Sequence, residues 1–341
     1  MGKVTYLIRK SVVQKALNMA ECICCVENVF TLYGRGETQM PAKVYLSFEE
    51  GDLRCMPAFI PSMKAAGVKN VNVHPANRDL PAVMATITLI DPEDGFPLAL
   101  MDGTYITAMR TGAAGAVGAK YLSREDSKVA AFIGTGVQAR TQLEALLVVR
   151  HKIVGITAYD VDKKAMEDFA REAAVKYGLK ALCAGSVNEA TADADVVVTA
   201  TPARKPIVMN GDIRDGAHIN AVGADAAGKQ ELDPVLLKRA RVVIDNWEQS
   251  SHGGEINGPF SKGVITRKDI YADIGEIVTG KKRARTSADQ VTVFDSTGLA
   301  IQDIAVAHSI LARVMSGRKL RDQVREVDLL GLAGGPASDS F

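Results

Sequence analysis

The sequence has 341 residues, of which 47% are hydrophobic and 24% are charged. This is the composition of an ordinary globular protein, and the length is enough for two domains. Its 41 basic and 40 acidic residues leave a net charge of +1, so no charge excess draws the chain to nucleic acid or to an anionic membrane. We therefore expect small-molecule chemistry.

No run of about 18 apolar residues suggests a membrane span, and the opening MGKVTYLIRK lacks an apolar segment of signal length. Five cysteines, an odd number without a paired framework, favour a reducing compartment, so we expect a cytoplasmic protein. Cys22 and Cys25 form a CxxC in a helical stretch. Because no second pair or nearby histidine accompanies it, buried thiols are favoured over redox or metal use.

Residues 1–120 are predicted to form an α+β domain, which residues 299–330 complete, so that this domain is discontinuous. Prolines divide the region, and Pro92–Gly95 is typical of a turn between antiparallel strands. The segment rich in Ala and Gly near residue 110 predicts a closely packed helix that connects to the next domain. The predicted elements are a helix near Ser11–Tyr33, strands around Ala42–Ser47, Gly67–Val73 and Ala82–Ile90, and a helix over Thr107–Leu122.

Residues 121–298 are predicted to form an α/β domain with a Rossmann-type, doubly wound parallel sheet. Short apolar runs that do not alternate with polar residues are typical of strands buried on both faces. The runs are VAAFIG, IVGITAY, ALCAG, DVVVTAT, HINAVG, RVVIDN and VTVFD. Helical patterns over Lys163–Tyr177 and Asp233–Arg239 lie between them. A further helix, Leu299–Met315, is expected to return to the first domain, and 331–341 is predicted to be a flexible tail.

A glycine turn that follows the first of these strands predicts a dinucleotide pocket. Gly134 suits a tight turn, Gly136 lets the backbone approach a pyrophosphate, and the small Ala139 lets the next helix pack closely. Asp160 ends the following apolar run, where a carboxylate can bind the ribose hydroxyls. Because it would also repel a 2′-phosphate, the sequence favours NAD over NADP as cofactor.

Other candidate NAD contacts lie in the glycine turn, at the start of a helix and at the ends of later strands. They are Arg110, Thr111, Thr135, Val137, Gln138, Thr201, Val222, Gly223, Asp225, Ser296 and Thr297. For Asp225, a helix cap or turn is the alternative interpretation.

Four basic residues of the first domain, Lys43, Arg54, Lys69 and Arg110, lie in apolar or small-residue surroundings and are candidates for binding a carboxylate. Lys69 stands inside GVKNVNVHP, where an unpaired ammonium would be costly. A lysine that faces solvent from an edge strand is the alternative. No metal site is expected, because the five histidines are scattered. His252–Glu255 is compatible with a structural turn as well as with a catalytic motif, and the absence of a G-x-S-x-G elbow and a P-loop disfavours hydrolases and kinases.

These landmarks resemble the ornithine cyclodeaminase/mu-crystallin family over nearly the whole chain, and in particular its archaeal-type alanine dehydrogenase branch. The matching stretches are Met40–Lys43, Gly67–Lys69, Val71–Pro75, Gly95–Ala99, Arg110–Ala114, Gly134–Gln138, Ile219–Asp225, Gly228–Asp233, His252–Glu255 and Asp295–Asp303.

The resemblance implies a homodimer in which the first domain, residues 1–120 and 299–330, is the substrate and dimerisation domain. It also implies that Lys43, Lys69 and Arg110 hold the substrate carboxylate, while Asp225 handles the amino group or the attacking water. Cyclodeaminases similar to this sequence carry a glutamate at position 54 for the distal amine of ornithine. Arg54 would repel that amine, so a short amino acid fits better.

The function that the resemblance implies is an NAD-dependent alanine dehydrogenase, which reversibly converts L-alanine to pyruvate and ammonium by hydride transfer. Lys69 and Asp225 are both candidates for proton transfer. The alternatives are an ornithine cyclodeaminase, which forms proline and ammonia, a ketimine reductase, and a non-catalytic mu-crystallin-like binding protein.

Overall fold

The computed structural model describes residues 3–331. Contacts divide them into two compact units, the first formed by residues 3–25, 36–110 and 299–331 and the second by residues 26–35 and 111–298. Residues 26–35 and 111–120, expected in the first domain, thus group with the second unit. The predicted flexible tail, 331–341, lies outside the described residues except for Gly331. No helix among the described residues is long and apolar enough to cross a membrane.

The described strands are β1 (Thr5–Ile8), β2 (Val44–Phe48), β3 (Gly51–Ile60), β4 (Ala65–Val73), β5 (Val83–Ile90), β6 (Pro97–Asp102), β7 (Val129–Ile133), β8 (Gly155–Tyr159), β9 (Lys180–Cys183), β10 (Val196–Thr199), β11 (His218–Ala221), β12 (Arg241–Ile244), β13 (Ile270–Asp273), β14 (Thr292–Asp295) and β15 (Arg325–Val327). The helices are α1 (Lys10–Ala16), α2 (Met19–Gly34), α3 (Thr104–Leu122), α4 (Val137–Val149), α5 (Lys163–Tyr177), α6 (Val187–Thr191), α7 (Pro234–Arg239), α8 (Trp247–Gly253), α9 (Asn257–Ser261), α10 (Ile274–Val278), α11 (Ala300–Ser316) and α12 (Arg318–Arg321).

The first unit is built on a mixed sheet with the strand order β15-β1-β6-β5-β4-β3-β2. From β2 to β6 every neighbouring pair is antiparallel, as the hairpin pattern predicts, whereas β1 pairs with β6 in parallel. Helix α11 packs on β3, β4 and β5. Alternate residues of these strands are buried, which is the period expected when one face of a sheet is covered.

Strand β3 was missed because Pro57 within it and Pro61 just after it were interpreted as breaks. Pro57 pairs with Val68 of β4, but on its other side β2 begins opposite Cys55 and does not extend to Pro57. A proline has no N–H to donate, so it is tolerated where β2 does not pair with it. The short strands β1 and β6 were missed as well.

The single helix predicted near Ser11–Tyr33 is in fact two helices, α1 and α2. Leu17, with φ −129° and ψ 129°, leaves the helical conformation. The side chain of Asn18 then accepts a hydrogen bond from the N–H of Glu21 at 2.9 Å, which is the geometry of a helix N-cap. An asparagine at this position therefore starts a new helix.

The second unit confirms the predicted doubly wound α/β fold. Its sheet has the order β13-β12-β14-β11-β10-β7-β8-β9, and all neighbouring strands are parallel. All seven predicted apolar runs contain a strand, and only β13 was missed. Chain order reverses at β7, which lies between β8 and β10. In open parallel sheets a ligand crevice forms at such a switch point, outside the carboxyl ends of the strands.

Glycines of α3 that belong to the second unit let this helix pack closely. A Cβ at Gly112 would lie 2.5 Å from the carbonyl oxygen of Thr141, and one at Gly118 would lie 2.5 Å from the ring of Phe294. Both distances are too short for any larger residue. The predicted close packing of the Ala- and Gly-rich helix is therefore correct within this unit.

Candidate functional sites

Two of the predicted basic residues meet a buried carboxylate in the first unit. Lys69 of β4 and Asp303 of α11 are both 0% exposed, and Arg110 of α3 is 6% exposed. The Nζ atom of Lys69 lies 2.6 Å from Oδ2 of Asp303, while Nε of Arg110 lies 3.0 Å from Oδ1. One carboxylate thus binds both cations. We call these three residues the cation cluster.

The position of Asp303 follows from a close approach of α11 to the sheet. Gly67 precedes Lys69 by two residues on the same buried face of β4. A Cβ at Gly67 would lie 2.2 Å from the carbonyl oxygen of Thr88 and 3.1 Å from the side chain of Ile304, the residue after Asp303. The glycine therefore leaves the space that brings the first turn of α11 to Lys69.

The cluster carries one excess positive charge when Lys69 is protonated. Burial, and after it the charge of Arg110, lower the pKa of Lys69 from 10.5 to about 7, although Asp303 opposes this shift. The charge of Lys43, a half-buried residue just before β2, also lowers it. A buried site with surplus positive charge suits an anion, and a lysine with this pKa can hold or release a proton near neutral pH.

Arg54 lies on the same buried face as Lys69, but it has a carboxylate partner. Its Nε and Nη2 atoms contact the two carboxylate oxygens of Asp52 at 2.8 and 3.0 Å, a bidentate pair. Its guanidinium also lies 5.6 Å from the ring centroid of Tyr45, the residue opposite it on β2. The charge of Arg54, which the sequence suggested as a specificity element, is therefore largely balanced by Asp52.

Sequence reasoning missed both acidic partners, Asp303 and Asp52. Asp303 left a signal, since it is the only charged residue in the stretch LAIQDIAVA, where every other residue except Gln302 is apolar. A lone carboxylate on a buried helix face needs a cationic partner. Asp52 left none, because acidic residues beside a turn are common on protein surfaces.

In the second unit, a crevice at the carboxyl ends of β7, β8 and β10 contains the glycine turn. Its volume is about 580 Å³, and its lining residues include Gly134, Thr135, Gly136, Asp160 and Thr201. Gly134 has φ +90°, and a Cβ there would lie 2.6 Å from the carbonyl oxygen of Ala200, so the turn requires glycine. The crevice is at the switch point of the sheet, where the sequence placed a dinucleotide.

The part of the crevice beside Gly136 has the features expected of a phosphate site. A Cβ at Gly136 would meet no atom within 4 Å, so protein packing does not demand this glycine and the space beside it is open to a ligand. Helix α4 begins at Val137, and no side chain caps it at Gly136. Its first N–H groups are thus suited to a phosphate. The Oε1 atom of Gln138 is buried without a protein partner.

Asp160 is held in place by the turn itself. Its Oδ2 atom accepts hydrogen bonds from the N–H and the hydroxyl of Thr135 at 2.7 and 2.9 Å. Its Oδ1 atom accepts one from the N–H of Asp162 at 3.0 Å. A carboxylate has about four lone-pair sites, so these bonds fix its orientation and still leave it able to accept from ribose hydroxyls.

The remaining predicted NAD residues occupy different environments. The N–H and the hydroxyl of Thr201 donate to Glu231, and the carbonyl oxygen of Thr111 accepts from Gln142. Asp225 pairs with Lys229 at 2.6 Å. The Thr297 hydroxyl donates to Asp245, so it takes part in a hydrogen bond within the protein. Val222 and Ser296 are buried, Gly223 is half-buried, and Val137 is 67% exposed at the start of α4. Their roles toward a cofactor stay predictions.

Two sequence motifs have structural explanations. Glu255, of the segment His252–Glu255, is 0% exposed and accepts hydrogen bonds from the backbone of Glu231 and Leu232, which supports the interpretation as structure. In the CxxC, Cys22 is buried, and burial raises the pKa of its thiol well above the ordinary value. Such a thiol is unreactive.

Comparison with known proteins finds related sequences and structures over nearly the whole chain. The model of the ornithine cyclodeaminase/mu-crystallin family matches residues 3–318. An alanine dehydrogenase of Archaeoglobus fulgidus is 50% identical over 316 residues, covering 92% of this chain and 96% of the relative. The solved structure of an archaeal alanine dehydrogenase dimer with bound NAD is similar with a TM-score of 0.91 and 48% identity, covering 96% of this chain and 99% of that one.

A third similar protein has a different activity. The structure of a Δ1-pyrroline-2-carboxylate reductase from Thermococcus litoralis, in complex with NADH and L-proline, matches with a TM-score of 0.89 and 39% identity. The match covers 92% of this chain and 98% of that chain. Sequence similarity of this order is therefore shared by enzymes with different substrates.

Proposed function

The chain belongs to the ornithine cyclodeaminase/mu-crystallin family, and from that premise we propose that it is an NAD-dependent alanine dehydrogenase. It interconverts L-alanine with pyruvate and ammonium. The observation that carries this choice is the pairing of Arg54 with Asp52 on the sheet face that bears Lys69. A diamino acid needs an unneutralised carboxylate for its distal ammonium, and here the nearby carboxylate is already bound by an arginine.

The cation cluster binds the carboxylate of the substrate. Lys69 and Arg110 supply two positive charges and Asp303 one negative charge, so that a bound monocarboxylate neutralises the cluster. Lys43 adds to the attraction. Because Asp303 fixes the positions of both cations, the substrate is held in one orientation, which can supply a large part of the rate acceleration.

Lys69 is the main proton-transfer group in this proposal. With a pKa of about 7 it is neutral in a large fraction of molecules at neutral pH and can accept a proton from the substrate ammonium or from water. Asp225 pairs with Lys229 and is assigned the secondary role of orienting the amino group or the attacking water. The lowered pKa and complete burial of Lys69 support this order of roles.

NAD is the cofactor, and it binds in the crevice of the second unit. When bound, it supplies the acceptor for the hydride that leaves Cα of alanine. The turn from Gly134 to Gln138 and the N-terminus of α4 hold the pyrophosphate, while Asp160 accepts hydrogen bonds from the ribose. Arg110, Thr111, Thr201, Val222, Gly223, Asp225, Ser296 and Thr297 complete the proposed contacts.

We also propose that the protein is a homodimer formed through the first unit. Strand β2 lies at one edge of the sheet. Its alternate residues Val44, Leu46 and Phe48 are 57%, 52% and 48% exposed. An exposed apolar edge strand is a ready surface for pairing with another chain. The similar archaeal alanine dehydrogenase is a dimer, which supports the same assembly here.

One experiment separates this function from its rivals. Purified protein is given NADH with pyruvate and ammonium, NADH with Δ1-pyrroline-2-carboxylate, or ornithine with catalytic NAD, and products are identified by chromatography. We expect NADH consumption and alanine formation in the first mixture, and none in a matched Lys69→Met variant. Faster proline formation in the second mixture would make the protein a ketimine reductase, as the similarity to the Thermococcus enzyme suggests. Proline from ornithine would make it a cyclodeaminase, and no turnover would indicate a binding protein.

A further inference from the structure

The second unit contains four completely buried carboxylates that have no role in the proposed reaction. Glu231, Asp245, Glu255 and Asp295 are each 0% exposed. None of them is among the residues that line the dinucleotide crevice. Carboxylates that are buried so completely are costly unless hydrogen bonds compensate for the loss of water, so their contacts indicate what they do.

Glu231 accepts four hydrogen bonds, divided between its two oxygens. Oε1 accepts from the N–H and the hydroxyl of Thr201, both at 2.7 Å. Oε2 accepts from the hydroxyl of Thr199 at 2.7 Å and from the N–H of Gly223 at 3.0 Å. Thr199 is the last residue of β10, and Gly223 follows the end of β11 by two residues. One side chain therefore ties together the ends of two neighbouring strands.

The contacts of Glu231 reach the wall of the crevice. Thr201 lines the crevice, whereas Glu231 lies behind it. The backbone of Glu231 also accepts, through its carbonyl oxygen, from the N–H groups of Ile207 and Val208 at 2.8 and 3.0 Å, and Ile207 is another lining residue. Glu231 thus binds two lining residues of the crevice, Thr201 through its side chain and Ile207 through its main chain.

Glu231 is itself held by a second buried carboxylate. Its N–H donates to Oε1 of Glu255 at 2.9 Å, and the N–H of Leu232 donates to Oε2 at 2.9 Å. The N–H of Glu255 in turn donates to Oδ1 of Asp295 at 3.1 Å. Each acid fixes the backbone of the next, so Glu231 cannot shift without breaking several buried hydrogen bonds.

A side chain with two oxygens that can accept hydrogen bonds is required at this position. Each oxygen of Glu231 faces a backbone N–H, that of Thr201 or that of Gly223. A glutamine would direct its NH₂ group at one of these two donors, whichever way the amide is turned. A Cβ at Gly223 would lie 2.4 Å from Oε2, so the glycine at 223 is what permits the close approach.

We propose that Glu231 is a positioning residue for the cofactor, which sets the shape of the crevice wall through its side-chain bonds to Thr201 and its main-chain bond to Ile207. This inference rests on the NAD-binding part of the proposed function and is independent of the amino-acid substrate. It predicts that loss of one acceptor oxygen of Glu231 weakens cofactor binding, although Glu231 itself makes no direct contact with the cofactor.

The test compares Glu231→Gln with Thr199→Val as a matched control. Both remove a hydrogen bond at the same buried carboxylate, but Thr199 does not line the crevice. NADH binding is measured by fluorescence titration and stability by thermal melting. We expect Glu231→Gln to raise the Kd for NADH about tenfold or more, as for a buried donor left unsatisfied, with the KM for the amino acid unchanged at saturating cofactor. Thr199→Val should lower the Tm but change the Kd less than about twofold.

Two results would overturn the proposal: NADH binding by Glu231→Gln that equals wild type, or an equal loss of affinity in Thr199→Val. If Glu231→Gln does not fold, amide hydrogen exchange of the wild-type protein decides. The N–H group of Thr201 should exchange slowly before NADH is added, because Glu231 already binds it; fast exchange would refute a preformed wall. A wild-type protein that binds no NADH would refute both proposals, whereas NADH binding without alanine turnover would refute only the proposed function.

Discussion

Asp303 lies 2.6 Å from Lys69, and its other carboxylate oxygen lies 3.0 Å from Arg110. A single buried carboxylate therefore neutralises one of two buried cations and fixes the position of both. When Lys69 is protonated, the net positive charge that remains is enough to attract one carboxylate. Lys69, held in place by Asp303, can still gain or lose a proton. These two properties are what the proposed function requires of the substrate site.

The first prediction concerns Asp303→Asn. Asp303 raises the pKa of Lys69, against the larger effect of burial, so its neutralisation should lower that pKa further below about 7. If Lys69 must be neutral to accept a proton, kcat/KM for alanine oxidation rises with pH through this pKa, and the rise should move down by about one pH unit or more. Gln302→Ala is the control, since Gln302 contacts Arg110 without a charge. An unchanged pH profile would refute the role of Asp303.

The second prediction is that Lys69→Met abolishes turnover but stabilises the fold more at low pH than at high pH. The folded protein binds the Lys69 proton with a pKa of about 7, whereas the ordinary value is 10.5. Between these values only the unfolded state holds the proton, so the stability of the wild type rises with pH. The free energy of unfolding of Lys69→Met should exceed that of the wild type by more at low pH. This excess should be roughly 2 to 3 kcal/mol larger at about pH 6 than at about pH 9. Denaturant unfolding at both pH values measures this difference, and equal differences would contradict the lowered pKa.

Patterns of apolar residues predicted the Rossmann-type sheet well because its strands are buried on both faces. Runs such as DVVVTAT leave no interpretation except a central strand, and α5 occupies Lys163–Tyr177 as predicted. The first unit was predicted less completely. Its half-exposed strands carry a weaker pattern, and Pro57 in β3 mimics a chain break because no sequence shows where the neighbouring strand begins.

Sequence position identified Lys69 and Arg110 but could not identify their partner. Asp303 is 234 residues from Lys69 in the chain, and only the packing of α11 on the sheet brings them together. The same holds for Arg54, whose charge the sequence shows but whose pairing with Asp52 depends on the conformation of β3. Residue types are readable from sequence, whereas charge balance in a buried site is a property of the fold.

The third prediction concerns cofactor choice. Asp160→Ser should raise kcat/KM with NADP relative to NAD by about tenfold or more, because it removes a carboxylate that would repel a 2′-phosphate. Asp162→Ser is a matched control two residues away, where the carboxylate caps α5 by accepting from Ala165 at 3.1 Å. Because serine caps a helix about as well as aspartate does, this control should leave both the stability and the cofactor preference nearly unchanged. Equal changes in both variants would exclude a specific role for Asp160.

The fourth prediction concerns substrate specificity. Arg54→Glu alone would place two carboxylates where an ion pair now stands, so the substitution is combined with Asp52→Asn. The double variant replaces a neutral pair with one negative charge. It should bind ornithine at least about tenfold more tightly than the wild type, measured as inhibition of alanine oxidation. Asp52→Asn alone should bind ornithine no better than wild type. If the double variant gains nothing, position 54 does not face the distal end of the substrate.

The fifth prediction concerns assembly through β2. Leu46 is 52% exposed and lies between Val44 and Phe48 on one face of this edge strand. Leu46→Lys places a charge in the apolar surface, which opposes pairing with a second chain, so sedimentation should show a shift from dimer to monomer. Ser47 is also exposed but points to the opposite face, because side chains alternate along a strand. Ser47→Lys should therefore leave the dimer intact, and dissociation of both variants, or of neither, would place the interface elsewhere.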